Sequence, residues 1–230
     1  MLLAGLQKLT LLDFPGHTAC TVFTHGCNLR CPFCHNAALV VETPQDTITE
    51  EDFFAFLRKR QGVLDGVAVT GGEPLLQHDV ADFLSRIRSL GYAVKLDTNG
   101  FFPDKLKALC AEGLVDYVAV DLKNCLTKYG VTVGKNDLDL SPLLETVDFL
   151  LAGSVDYEFR TTVVDELHTP DDIASIGKLI AGAPRWFLQQ FTDSGGLIAS
   201  GMHPKSKEEL RVCLKKAQEY VPSAALRGID

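Results

Sequence analysis

The stretch Gly66–Gly100, GVAVTGGEPLLQHDVADFLSRIRSLGYAVKLDTNG, carries the pattern that decides the fold. Gly66 to Thr70 reads as a β-branched strand and ends at Gly71-Gly72. Asp79 to Leu90 reads as an amphipathic helix closed by Gly91. Tyr92 to Leu96 is a second strand, ending at Asp97-Thr98-Asn99-Gly100. A strand, a crossover helix and a strand make one unit of a parallel sheet.

The same alternation extends in both directions. Upstream, Ala19 to His25 reads as a strand, and Glu51 to Arg60 as a helix with Phe53, Phe54, Phe56 and Leu57 on its apolar face. Thr47 and Glu50 have capping-box spacing before it. Downstream, Pro103 to Ala111 is a helix with proline in its first turn and Gly113 beyond its end. Strands are expected at Val115–Val120, Tyr157–Val164 and Trp186–Phe191, and helices at Pro142–Leu151, Asp171–Ile180 and Lys205–Tyr220. Six β-then-α units follow one another without repeat or linker. Such a chain folds as an α/β domain, with residues 1–230 expected to form it singly. An open doubly wound sheet and a partial barrel both satisfy the pattern.

Composition narrows the function classes. The hydrophobic fraction is 46 %, and no apolar run reaches the ~20 residues that span a bilayer. The apolar start, Met1 to Leu6, lacks a charged leader and a cleavage site, so a cytoplasmic protein with no membrane contact is expected. A net charge of -8 without a basic stripe argues against nucleic acid. Seven cysteines make an odd count, and three lie within eight residues. That spacing suits metal better than a disulfide framework. Cys20, Cys110, Cys125 and Cys213 are scattered and read as core residues.

Polar or glycine-rich clusters follow the strands: the cysteine loop, Gly71-Gly72-Glu73, Asp97-Thr98-Asn99 and Asp121-Leu122-Lys123. In parallel α/β folds the site lies at the carboxyl ends of the strands, so these clusters should share one face.

The cysteine segment reads Cys27-Asn28-Leu29-Arg30-Cys31-Pro32-Phe33-Cys34. Thiolates select zinc or iron–sulfur clusters. A closed zinc site wants four ligands, which His25 or His35 could complete. A cubane cluster with three cysteines leaves one iron open to a substrate. Residues alone leave both readings standing.

The Cys-x3-Cys-x2-Cys spacing, with an aromatic before the last cysteine, resembles the signature of the radical S-adenosylmethionine superfamily. Asp13-Phe14-Pro15-Gly16 and Cys34-His35-Asn36 resemble its glycyl-radical-enzyme activating proteins, over about Leu11 to Phe191. This resemblance implies a partial (β/α)6 barrel, a [4Fe-4S] cluster on Cys27, Cys31 and Cys34, and S-adenosylmethionine as co-substrate. It implies a glycyl-radical enzyme as protein partner, with the anaerobic ribonucleoside-triphosphate reductase the candidate. The electron would come from an external donor such as flavodoxin or ferredoxin.

The resemblance also assigns roles by position. Gly71-Gly72-Glu73-Pro74 matches the motif that binds the methionine amino group, where bare backbone approaches closely and a carboxylate can accept from an ammonium. Asp97, Thr98 and Asn99 match a segment near the ribose and carboxylate. In some activating proteins the aspartates matching Asp97 and Asp121 also hold a monovalent cation. Lys123 matches a cofactor contact, and Phe33 should lie against the adenine. Arg160, in Phe159-Arg160-Thr161-Thr162, is a further candidate contact, because a core strand rarely carries an unpaired arginine. Asp13 and His35 are candidates for contact with the partner peptide. Where activating proteins often carry a histidine on the sixth strand, this chain offers glutamine in Trp186-Phe187-Leu188-Gln189-Gln190-Phe191. Two rival readings remain: a radical enzyme acting on a small molecule, such as a deazapurine synthase, and a zinc-binding module.

Overall fold

The computed structural model describes residues 1–42, 47–193 and 195–228. Its centre is one eight-stranded sheet whose spatial order follows the chain, β1 to β8. The strands are β1 (Leu3–Thr10), β2 (Ala19–Thr24), β3 (Gly66–Gly71), β4 (Ala93–Thr98), β5 (Tyr117–Asp121), β6 (Asp156–Val163), β7 (Trp186–Gln190) and β8 (Ala225–Arg227). β1 runs antiparallel to β2, and every later neighbour is parallel. β8 is not paired with β1, so the sheet curls without closing. This is the partial barrel, extended at its two edges by strands the sequence reading did not foresee.

The connecting helices are α1 (Ala37–Val41), α2 (Glu50–Arg60), α3 (Val80–Ser89), α4 (Pro103–Ala111), α5 (Tyr129–Thr132), α6 (Ser141–Leu151), α7 (Pro170–Leu179) and α8 (Lys207–Gln218). Their apolar faces meet the outer face of the sheet. Phe53 and Phe54 of α2 meet Phe83 of α3 with ring centroids 5.3–5.4 Å apart, and all three rings are buried. Each such ring contributes about 1.5–3 kcal/mol over an exposed one. Capping differs from the sequence expectation at one place. The α2 cap is Thr49, not Thr47: its backbone is extended and its hydroxyl accepts from Asp52 N at 3.1 Å. Reciprocal capping boxes close α7 (Thr169, Asp172) and α8 (Ser206, Glu209) instead. Among the described residues, no helix is long and apolar enough to cross a membrane.

The inner face of the sheet is unusual for a strand interior because it is charged. Period-two alternation puts Lys95 and Asp97 on one face of β4, and Glu158 and Arg160 on one face of β6. Register sets Asp121 opposite Arg160.

Candidate active site

The cysteine loop leaves β2 and is pinned by backbone hydrogen bonds to four separate segments. Gly26 N donates to Leu39 O (2.8 Å), Glu73 N to Gly26 O (2.8 Å), Arg30 N to Val133 O (3.0 Å) and Ala199 N to Pro32 O (3.0 Å). The Arg30 guanidinium folds back onto the Cys27 and Leu29 carbonyls at 2.7 and 2.8 Å. A loop so tied presents its side chains without freedom to scatter.

Those side chains line a cavity of about 280 Å³ at the carboxyl ends of the parallel strands. Cys27, Cys31 and Cys34 form one wall, with the apolar Leu29, Phe33 and Val40 beside them. The facing wall draws on successive strands: Gly71 and Gly72 at the end of β3, Asp97 to Asn99 at β4, Asp121 and Lys123 at β5. Arg160 and Thr162 of β6 and Gln189 of β7 complete it. All three cysteines are free. Burial pushes the Cys31 thiol up to about 12 and raises Cys27 as well. A thiolate therefore needs a cation beside it here, and a bound metal is the usual supplier. Leu29 N donates to Cys27 Sγ at 3.4 Å. The Asn99 amide reaches the same sulfur at 3.8 Å and Asn28 Oδ1 at 2.7 Å.

Gly71 and Gly72 are required by contact. Gly71 has φ +122°, and a Cβ there would sit 2.3 Å from Thr24 N. A Cβ on Gly72 would sit 2.0 Å from Gly26 O. Glu73 departs from the expectation of a ligand ammonium. Its carboxylate is fully buried behind the cavity wall. It accepts from Asn99 N at 2.7 Å, Thr98 Oγ1 at 2.9 Å and Leu75 N at 3.0 Å. Burial lifts it to about 7 against these donors. Glu73 braces the β3 and β4 loops together, and the bare backbone of Gly71-Gly72 faces the cavity.

Asp97 and Asp121 are bridged by the Arg160 guanidinium: Nη1 reaches Asp97 Oδ2 at 3.0 Å and Nε reaches Asp121 Oδ1 at 2.8 Å. Lys95 Nζ donates to Asp97 Oδ1, and Lys123 Nζ to Asp121 Oδ2 at 3.1 Å. Burial alone would raise both carboxyls, but Arg160 with Lys95 or Lys123 holds each below the usual carboxylate range. His35 stands exposed at the rim, its ring 5.5 Å from Phe191. Asp13 does not line the cavity. It follows the antiparallel β1, at the amino ends of the other strands, and accepts from Thr21 Oγ1 at 2.5 Å.

Residues 21–173 match the family described as the Radical SAM superfamily. The chain belongs to the radical SAM superfamily. A protein of Methanocaldococcus jannaschii described as a candidate glycyl-radical enzyme activating enzyme is 31 % identical over the whole chain and 97 % of its own length. A 7-carboxy-7-deazaguanine synthase of Halobacterium salinarum is 40 % identical, but over 34 % of this chain and 30 % of its own. In fold, a domain of the pyruvate-formate lyase-activating enzyme of Bacteroides vulgatus superposes with a TM-score of 0.58. It shares 20 % identity and covers 71 % of this chain and 99 % of that one. Streptococcus suis SuiB bound to S-adenosylmethionine gives 0.71 at 15 % identity, over 89 % of this chain and 49 % of its own.

The protein is thus a radical SAM enzyme, a family that uses a [4Fe-4S] cluster and S-adenosylmethionine. The residues present fit that cluster: three free thiols on one rigid loop line one partly apolar cavity, with no fourth cysteine among its lining residues. They do not fit a cation at Asp97 and Asp121, because all four carboxylate oxygens already face Lys95, Arg160 or Lys123. Among the described residues no three His, Cys, Asp or Glu side chains form a group able to hold a single ion.

Sequence reasoning missed two residues that brace the radical SAM site, Lys95 and His168. Lys95 had a visible signal, a lysine inside a strand, the same anomaly that drew attention to Arg160. His168 had none. Val164 N donates to its Nδ1 at 3.1 Å, so its Nε2 carries the proton and donates to Lys123 O at 2.8 Å. That fixes the backbone from which Lys123 enters the cavity.

Proposed function

We propose that the protein is an activating enzyme that cleaves S-adenosylmethionine reductively and directs the resulting 5′-deoxyadenosyl radical to a glycine α-carbon of a partner glycyl-radical enzyme, of the anaerobic ribonucleoside-triphosphate reductase kind. The observation that carries it is the single open-mouthed cavity that gathers Cys27, Cys31 and Cys34 with Gly71-Gly72, Asn99, Lys123 and Arg160. The full-length likeness to the M. jannaschii relative supports activation of a protein. The deazapurine alternative rests on a match over about a third of the chain.

Each residue then has a task. Cys27, Cys31 and Cys34 would hold the cluster, which supplies one electron to the sulfonium when bound. Backbone carbonyls at Gly71-Gly72 accept from the methionine ammonium. Lys123 and Arg160 present positive charge to its carboxylate, with Asn99 and Thr98 beside them. Phe33, buried in the wall, offers a flat apolar surface to the adenine. His35 at the rim is placed to meet an incoming peptide. The wall residues keep a carbon radical away from dioxygen and from C–H and S–H groups other than the intended donor, any of which would quench it. The electron donor is of the flavodoxin or ferredoxin class.

The test is anaerobic reconstitution with iron and sulfide, followed by reduction and addition of S-adenosylmethionine. The reading expects reductant-dependent 5′-deoxyadenosine. It also expects a glycyl-radical doublet in electron paramagnetic resonance when the partner is present, with deuterium from its α-labelled glycine in the nucleoside. 5′-Deoxyadenosine without transfer from any glycine would move the protein to small-molecule chemistry. Zinc in place of iron, with no nucleoside, would end the proposal.

A further inference from the structure

Asp97 and Asp121 occupy the positions at which a monovalent cation is expected, yet their oxygens are already spoken for. Lys95 faces Asp97 Oδ1, Arg160 spans Asp97 Oδ2 and Asp121 Oδ1, and Lys123 faces Asp121 Oδ2. A hard ion needs oxygens that are free to turn toward it. It would also have to enter beside an ammonium and a guanidinium that are both largely withdrawn from water. Like charges at such separations repel far more strongly there than in solvent.

Lys95 is the member that marks the difference. Arg160 and Lys123 line the cavity and have a ligand to meet; Lys95 does not line it. Its side chain is fully buried. It lies two residues before Asp97 on β4, so strand periodicity aims both inward, one layer apart. Its lateral neighbours by register are Ala68 and Tyr117. A buried lysine costs several kcal/mol unless an opposite charge meets it, and Asp97 is that charge. The three cations against two carboxylates leave one net positive charge, carried on the side where Lys123 and Arg160 face the cavity.

We propose that Lys95 is a built-in replacement for the monovalent cation: a positioning residue whose ammonium, supplied by β4, holds Asp97 so that Asp97 and Asp121 keep Arg160 aimed at the cofactor's carboxylate. The protein accordingly needs no potassium or sodium from solution. The inference deepens the proposed use of this cavity and rests on S-adenosylmethionine binding there, but not on which partner is activated.

The test compares wild type, Lys95→Met and Lys95→Arg, each cluster-loaded. Tm and S-adenosylmethionine affinity are measured in potassium, sodium and tetramethylammonium chloride at equal ionic strength. Wild type and Lys95→Arg should give the same Tm and affinity in all three salts. Lys95→Met should melt lower in tetramethylammonium and regain about 2–4 °C in potassium or sodium, saturably, as the vacated position fills. Its weakened cofactor affinity should recover in the same salts. Folding of Lys95→Met in potassium alone is the same result in stronger form. A potassium- or sodium-specific rise in wild-type Tm overturns the proposal. So does a Lys95→Met protein that ignores the ion, or one that is insoluble in every salt, since an emptied cation position should then be refillable. The melting readout is independent of the chemistry. Salt-silent wild type and salt-responsive Lys95→Met, with no 5′-deoxyadenosine from either, would remove the proposed function and leave Lys95 in its role.

Discussion

Gly72→Ala tests how tightly the glycine motif and the cysteine loop are joined. The added Cβ would lie 2.0 Å from Gly26 O and 2.6 Å from Gly26 C. Both are backbone atoms, so no rotamer change relieves the contact. Ordinary contact begins at 3.4 Å, and the two segments must part by roughly 1.4 Å. The hydrogen bond from Glu73 N to Gly26 O, 2.8 Å long, sits in the same gap and would stretch or break. Gly26 is the residue before Cys27, so the displacement arrives directly at a cluster ligand. Overpacking of this kind costs about 1–3 kcal/mol of stability. A shift near 1 Å at reacting groups costs on the order of 100-fold in rate. Urea melts should show the first loss, and 5′-deoxyadenosine formation under saturating S-adenosylmethionine the second. A variant with wild-type iron content, Tm and turnover would refute the close approach of these two loops and the placement built on it.

Three further outcomes follow from the same geometry. Glu73 titrates at about 7 in the fold against an ordinary 4.5, so between those values the native state keeps a proton that the unfolded chain has lost. Stability should decline by up to roughly 3 kcal/mol as pH rises through that window, and Glu73→Gln should remove this slope from urea melts at about pH 5 and about pH 8. Arg160→Met leaves Asp97 and Asp121 without their shared partner and should cost about 3–5 kcal/mol, partly restored by adding Asp97→Asn, as read from urea midpoints. Cys31→Ala should lose both iron and 5′-deoxyadenosine, whereas Cys110→Ala, half-buried on α4, should retain both; equal loss from the two would dissolve the distinction between ligand and packing cysteines.

Helices and parallel strands were legible because their signals are local. Pro103–Ala111 appears with the boundaries its proline and Gly113 marked. β8 was not legible: three residues, Ala225–Arg227, carry no period, and what holds them is the bidentate grip of Arg227 on the buried Glu158 at 2.8 and 2.9 Å. β1 escaped because its middle is exposed, so Leu3–Thr10 shows no alternation. The motif residues were legible as positions, but their directions were not. Glu73 has the right neighbours in sequence and turns away from the cavity, because three donors of the β3 and β4 loops converge on its carboxylate. Thr49 replaced Thr47 as cap for a similar reason: only the residue whose extended backbone meets the helix start can reach the free amide.

The placement of Asp13 shows how strand direction separates residues that sequence puts side by side. In a parallel sheet every carboxyl end points the same way, so the loops after β2, β3, β4 and β5 meet around one cavity however far apart they are in the chain. β1 is antiparallel, and Thr10 pairs with Ala19 at the start of β2. The segment between them, which carries Asp13-Phe14-Pro15-Gly16, therefore turns at the opposite end of the barrel. There Phe14 packs on Tyr117 and lines a second cavity with Arg185 and Arg227. Asp13 precedes β2 and the cysteine loop follows it, so the two leave the strand at opposite ends. The Asp13 carboxylate reaches Thr21, midway along β2, and does not line the cavity that the cysteine loop walls. Of the two residues proposed for partner contact, His35 is therefore the one at the mouth of the cavity, while Asp13 bonds to Thr21 outside its lining.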